Sequence, residues 1–168
     1  GWFDNHIAAE IRLPDAIERR LLCPFHYFGV EDTVDLRQVN WTNGHYDVGA
    51  LTNLYVLESH TASKRADAIL RALDNYTADL RGVKGVGFCV SKAHAHFMAE
   101  YFSHKGIPSL ALDSDSKEDE RQSARQKLES GAITFLFVVD LFNEGVDIPC
   151  INTVLFLRPT NSMTVFLQ

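Results

Sequence analysis

The segment that most restricts the fold is Ile133-Thr-Phe-Leu-Phe-Val-Val139, the longest nearly unbroken apolar run, which ends abruptly at Asp140. A strand with one wet face alternates polar and apolar residues. A run that is apolar on both faces belongs inside a parallel sheet covered by helices on both sides. Ile151–Leu157 repeats the pattern. Helical spacing fills the intervals between such runs. Ala66, Ile69, Leu70, Leu73, Tyr76 and Leu80 predict an amphipathic helix over 61–80, and Val86–Val90 reads as a short strand. Ala93, Phe97, Met98, Tyr101 and Phe102 predict a second helix, closed by Gly106. Ser109–Leu112 is a further strand, and Ser116 with Asp119 forms a capping-box pattern for a third helix that closes at Gly131. Asn161 or Ser162 is placed to cap one more helix. The alternation predicts an α/β doubly wound parallel sheet.

The first third of the chain is less regular. Ile7–Ile11 is briefly apolar, Leu13–Pro14 reads as a turn, Cys23–Val30 is a mixed aromatic run, and Trp41-Thr-Asn-Gly-His45 carries turn chemistry. Residues 1–57 therefore read as a connecting or flanking segment, and 58–168 as the regular domain. The start at Gly1 without methionine and the stop at Gln168, after the apolar stretch Thr164–Leu167, are what a piece of a longer chain is expected to show.

Composition narrows the function classes. The 16 Lys and Arg against 22 Asp and Glu give a net charge of −6, which excludes a strongly basic nucleic-acid-coating protein. A hydrophobic fraction of 46% suffices for a core. No apolar stretch approaches the roughly 18 residues needed to span a bilayer, and no signal segment opens the chain. The expectation is a cytoplasmic protein without a membrane partner. Cys23, Cys89 and Cys150 lie far apart among apolar neighbours and are expected to be small buried hydrophobes in a reducing compartment.

In doubly wound sheets, ligands bind beyond the carboxyl ends of the strands. The residues there are Ser91-Lys92, Asp113-Ser-Asp115, Asp140 through Asp147, and Arg158-Pro-Thr-Asn161. Gly82-Val-Lys-Gly85-Val-Gly87 is not a phosphate loop, because it precedes a strand where such a loop must follow one; it reads as a linker turn. No G-x-x-x-x-G-K-[ST] and no nucleophile elbow occurs. His94 falls on the apolar face of its helix and His96 on the other, so the two do not share a metal, and no metal site is expected. Asp140-Leu-Phe-Asn-Glu144-Gly145-Val-Asp147-Ile-Pro149 sets three carboxylates in a tight loop after a buried strand, which is costly unless they meet ligands, cations or backbone donors. By itself this loop leaves two readings open, a solvated acidic turn or a paired-carboxylate, Mg²⁺-dependent phosphohydrolase using Asp140, Glu144 and Asp147, and for the chain as a whole a non-catalytic α/β interaction module stays open as well.

The run Phe-Val-Val-Asp140-Leu-Phe-Asn-Glu144-Gly145-Val-Asp147-Ile-Pro149 resembles motif V of superfamily 2 (DEAD/DEAH-type) helicases and translocases, in the form found in bacterial excision-repair helicases and restriction translocases. It departs from the DEAD-box form, with Val139 where that has threonine and Glu144 where that has arginine. Gly-Phe-Cys-Val-Ser91-Lys92 resembles motif IV, and Leu128-Glu-Ser-Gly131 the approach to motif V. Leu157-Arg-Pro-Thr-Asn-Ser162 through Gln168 is similar to the approach to motif VI, with Gln168 its first residue. Ala8–Ile17 and Leu22–Phe25 resemble the segment that follows motif III.

The resemblance implies a RecA-like second motor domain, a P-loop NTPase-type fold without its own P-loop and truncated at its C-terminal end. Residues 1–57 would be the tail of motor domain 1 and the crossing to domain 2. The activity implied is an ATP-dependent helicase acting on nucleic acid, taken as DNA. ATP and Mg²⁺ would be held mostly by the first RecA-like domain of the same polypeptide. Ser91, Lys92, His94 and Asp140 would serve nucleic-acid binding, and Gly145, Asp147 and Glu144 the nucleotide cleft. The fragment alone, lacking P-loop, Mg²⁺-binding carboxylates and arginine finger, would be inactive.

Overall fold

A computed structural model describes residues 13–32, 34–42, 45–139 and 148–159, except the side chains of Leu13, Pro14 and Gln38. The chain forms two compact units, 1–30 and 31–168. In the first, Leu13–Glu18 forms α1, so Leu13–Pro14 opens a helix where the sequence suggested a turn. Proline's fixed φ and missing N–H suit a first helical turn. The helix closes with Arg20 in the left-handed region at φ 58°, its N–H on the Ile17 carbonyl at 2.9 Å and that of Leu21 on the Ala16 carbonyl at 2.8 Å. That pairing satisfies two carbonyls the helix end would otherwise orphan.

The second unit begins with a two-stranded antiparallel hairpin, β1 (Trp41–Thr42) and β2 (His45–Tyr46), then α2 (Val48–Thr52), a single π-helical turn at Asn53–Leu57, and α3 (Ser59–Tyr76). The main sheet holds β3 (Gly85–Phe88), β4 (Ser109–Leu112), β5 (Phe135–Val138) and β6 (Thr153–Phe156) in the order β4-β5-β3-β6, every neighbouring pair parallel. Helix α4 (Lys92–His104) follows β3, and α5 (Glu118–Ser130) follows β4. This is the expected α/β parallel sheet with flanking helices.

Period two along β5 builds both core layers. Phe135 and Phe137 pack with Ala66 and Leu73 of α3 and Met98 and Phe102 of α4, while Leu136 and Val138 pack with Ala124 and Leu128 of α5. All four β5 side chains are essentially sealed from water, each burial contributing roughly 2 kcal/mol. No described helix is long and apolar enough to cross a membrane.

The glycine run is not simply a linker turn. Gly82 closes a short 3₁₀ turn, Leu80–Gly82, but Gly85 and Gly87 lie within β3, paired with Phe135 and Phe137 of β5. A Cβ on Gly85 would lie 2.1 Å from the Phe135 ring, and one on Gly87 2.5 Å from Phe137. Glycine is required because a neighbouring ring occupies the place of its side chain.

Other boundaries shift for local reasons. Helix α3 stops at Tyr76, short of the expected residue 80, because Thr77 is extended and Asp79 caps the next turn through the Arg81 N–H. The capping box forms one residue later than expected: the Glu120 carboxylate accepts the Lys117 N–H at 2.8 Å, whereas Ser116 Oγ accepts from Asp113. Gly106 and Gly131 end α4 and α5 at φ 82° and 77°, as the sequence indicates. Cys23 is exposed, contrary to expectation, because it lies in the extended stretch after α1; Cys89 is buried and Cys150 half-buried.

Candidate functional site

Phe88, Leu112, Val138 and Phe156, the last residues of the four strands, stand in one row across the sheet. The polar segments that follow them therefore start from a common edge. Ser91-Lys92, Asp113–Asp115 and Arg158 lie in the described part of it. Asp140, Glu144, Gly145, Asp147 and Gln168 lie outside the described residues.

Ser91 is the N-cap of α4. Its Oγ accepts the His94 N–H at 3.3 Å and the Thr52 hydroxyl at 2.9 Å, so α2 is tied to the first turn of α4. Lys92 is held by Asp115, an ion pair that raises the lysine's pKa through the hydrogen bond between them. Asp113, almost buried, accepts the Asp115 N–H at 2.8 Å, which lowers its pKa, with His96 at 3.4 Å adding to the effect. The α4 turn and the loop after β4 thus meet through two acid–base pairs.

His94 and His96 do point apart: His94 is fully buried and His96 exposed. His94 supports the turn from beneath. Its Nδ1 accepts the Val90 N–H at 3.3 Å, Arg65 Nη1 lies 3.4 Å from Nε2, and the Tyr55 ring lies 5.1 Å away. A neutral imidazole has one acceptor nitrogen, so two donors already exceed what it can serve, and a proton on the ring would leave none. Burial, and after it the Arg65 charge, pushes its pKa down to about 3 from 6.5.

Between those values the unfolded chain takes up a proton at this position and the folded chain does not, so stability falls as pH falls through that window and is complete above it. His94→Asn keeps an acceptor for the Val90 amide and does not titrate. Its stability against pH, followed by urea unfolding, is expected to be flatter by up to about one proton. An unchanged slope contradicts this placement.

Arg65 is the residue that the pattern of apolar positions passes over. It is buried at 7% exposure, with its guanidinium 4.0 Å over the Tyr55 ring. Nε pairs with the Asp32 carboxylate at 2.9 and 3.1 Å, and Nη2 donates to the Leu157 carbonyl at 3.1 Å. One side chain thus joins α3, the first turn of α4, the end of β6 and the segment before β1. Its signal was present in the sequence: Arg65 lies four residues before Ile69, on the same stripe as Ala62, Ala66 and Leu73. Cys89 is no nucleophile, since burial pushes its thiol up to about 12.

Residues 65–168 match the helicase conserved C-terminal domain. The chain is 27% identical over 154 residues to IRC3 of Saccharomyces cerevisiae, covering 92% of this chain and 22% of that protein. It is 29% identical over 173 residues to UvrABC system protein B of Chlorobium limicola, covering 90% and 25%. It therefore spans about a quarter of the length of these relatives. The crystal structure of the yeast DEAD-box splicing factor Prp28 shares the fold at TM-score 0.52 and 15% identity, over 62% of this chain and 22% of that one. With the match covering more than half of its residues and the RecA-like sheet in place, the chain belongs to the helicase conserved C-terminal domain family of superfamily 2.

Proposed function

We propose that this chain forms the second motor domain of an ATP-dependent helicase or translocase that grips a single strand of nucleic acid by its phosphates at the Ser91–Lys92 turn. The observation that carries the reading is the common edge: a capped helix N-terminus and a lysine stand beside the ends of β5 and β6, in a chain of helicase type. Ser91 takes the His94 amide, leaving those of Lys92 and Ala93 for a phosphate oxygen. Lys92 exchanges Asp115 for a phosphate. Such contacts fix position without reading bases.

On this reading residues 1–57 are the tail of motor domain 1 and the crossing to domain 2, and 58–168 are domain 2. ATP and Mg²⁺ bind mostly through the first RecA-like domain of the same polypeptide. Gly145, Glu144 and Asp147 line the nucleotide cleft, Asp140 couples that cleft to the strand, and Gln168 opens motif VI. We take the strand as DNA, a reading supported by match length: the relatives named as RNA helicases match 40% to 48% of the chain, against 60% for a type I restriction enzyme endonuclease subunit of Escherichia coli. The location is cytoplasmic.

The test is a pair of substitutions with opposite signs. Lys92→Ala weakens binding of single-stranded DNA several-fold at low salt, whereas Asp115→Asn, which frees the lysine, strengthens it. Fluorescence anisotropy of a labelled oligonucleotide reads both. Equal affinities for parent and variants contradict the assignment.

A further inference from the structure

We propose that Trp41, braced by Tyr46, is a stacking platform for the bases of a single strand whose phosphates the Ser91–Lys92 turn holds, an inference that rests on the reading above. Trp41 is 48% exposed although its ring is fixed against Tyr46, with centroids 4.6 Å apart and planes at 76°. Strands as short as β1 and β2 gain little from their own ladder. The aromatic pair adds to that ladder, and about half of Trp41 remains in water.

Its position is set by the same parts that set the phosphate turn. Tyr46 packs on the cluster of Val34, Val39, Leu51 and Tyr55, and so does Val90, the residue before Ser91. Asp47, next after Tyr46, caps α2 by accepting the Ala50 N–H at 2.7 Å, and α2 ends at Thr52, which donates to Ser91 Oγ. Platform and turn are therefore both joined to one packed cluster. A single strand carries phosphates along one edge and free base faces along the other, which suits a polar turn and an aromatic plate carried on the same cluster. In a duplex the base faces are stacked on each other and cannot reach Trp41.

Charge points the same way. One lysine at the turn neutralises about one phosphate and so gains little from displaced counterions, and a contact that salt does not weaken adds to it. Base–aromatic stacking is such a contact, and every base has a face to offer.

The test uses the chain with Trp2→Phe, which leaves Trp41 as the sole tryptophan reporter. Oligothymidylate is compared with an abasic deoxyribose-phosphate strand of equal length. Oligothymidylate is expected to quench Trp41 emission and the abasic strand to leave it unchanged. Trp41→Leu is expected to weaken oligothymidylate binding about tenfold or more while leaving abasic binding alone, and Trp41→Phe to retain most of the affinity. Circular dichroism of the variants separates this effect from loss of fold. Oligothymidylate binding without quenching, or with equal affinity in Trp41→Leu, overturns the platform and leaves the phosphate turn standing. If neither strand binds the parent chain at low salt, the platform and the reading beneath it fall together.

Discussion

Arg65→Met is expected to lower the unfolding free energy by about 3 kcal/mol, the range for breaking a buried ion pair, with the midpoint of thermal unfolding down by roughly 6–12 °C. Methionine fills much of the volume, so the loss comes from specific contacts. The Leu157 carbonyl loses its guanidinium donor, Asp32 loses both bonds from Arg65 and keeps only the one from the Val34 N–H, and Tyr55 loses the cation over its ring. Asp32→Asn tests the same joint from the other side, since it leaves a buried guanidinium without its carboxylate. Asp32 is itself a third exposed, so its loss is expected to be smaller than that of Arg65. The double variant should be less destabilised than the sum of the singles, because the second change removes what the first left unpaired. Urea unfolding measures all three. Additive effects, or an Arg65→Met midpoint within error of the parent, would remove the joint from the account.

Gly87→Ala is expected to destabilise by about 3 kcal/mol, the upper end for overpacking. The new methyl would lie 2.5 and 2.6 Å from two carbons of the Phe137 ring. That ring has little room to retreat, since Phe102 stands edge-on to it at 5.0 Å and Phe135 is stacked at 5.9 Å. Shrinking the obstacle should rescue the variant: Gly87→Ala with Phe137→Leu is expected to be more stable than Gly87→Ala alone. The inverse pairing, in which Phe137→Leu fails to help, would mean that the glycine answers some other need.

Those two positions show where a sequence can and cannot be read directly. The strands were legible because each lies in an apolar run stopped by a polar residue; β4 spans the expected Ser109–Leu112, whereas β3, β5 and β6 end one or two residues before their runs do. The glycines were misassigned because glycine's usual signal is a turn, and the reason for Gly85 and Gly87 lies about fifty residues downstream, in Phe135 and Phe137. The period-two match of Gly-x-Gly with Phe-x-Phe was the available clue. Arg65 was passed over because a charge on a helix is ordinarily solvated, and its partners come from four separate stretches of chain. Ser91, Lys92 and Asp115 all stand after strands in the sequence, but the pairing of Lys92 with Asp115 and the bond from Thr52 to Ser91 depend on how the β4 loop and α2 fold back onto α4.

The central claim is that the Ser91–Lys92 turn binds phosphate. The most direct measurement is the affinity of the chain for single-stranded DNA over a range of salt concentrations, compared between parent and Lys92→Ala. The account predicts that the slope of log affinity against log salt becomes shallower by about 0.7, the value of one phosphate contact on a single strand. A Lys92→Ala chain with the parent's affinity and the parent's slope would contradict it.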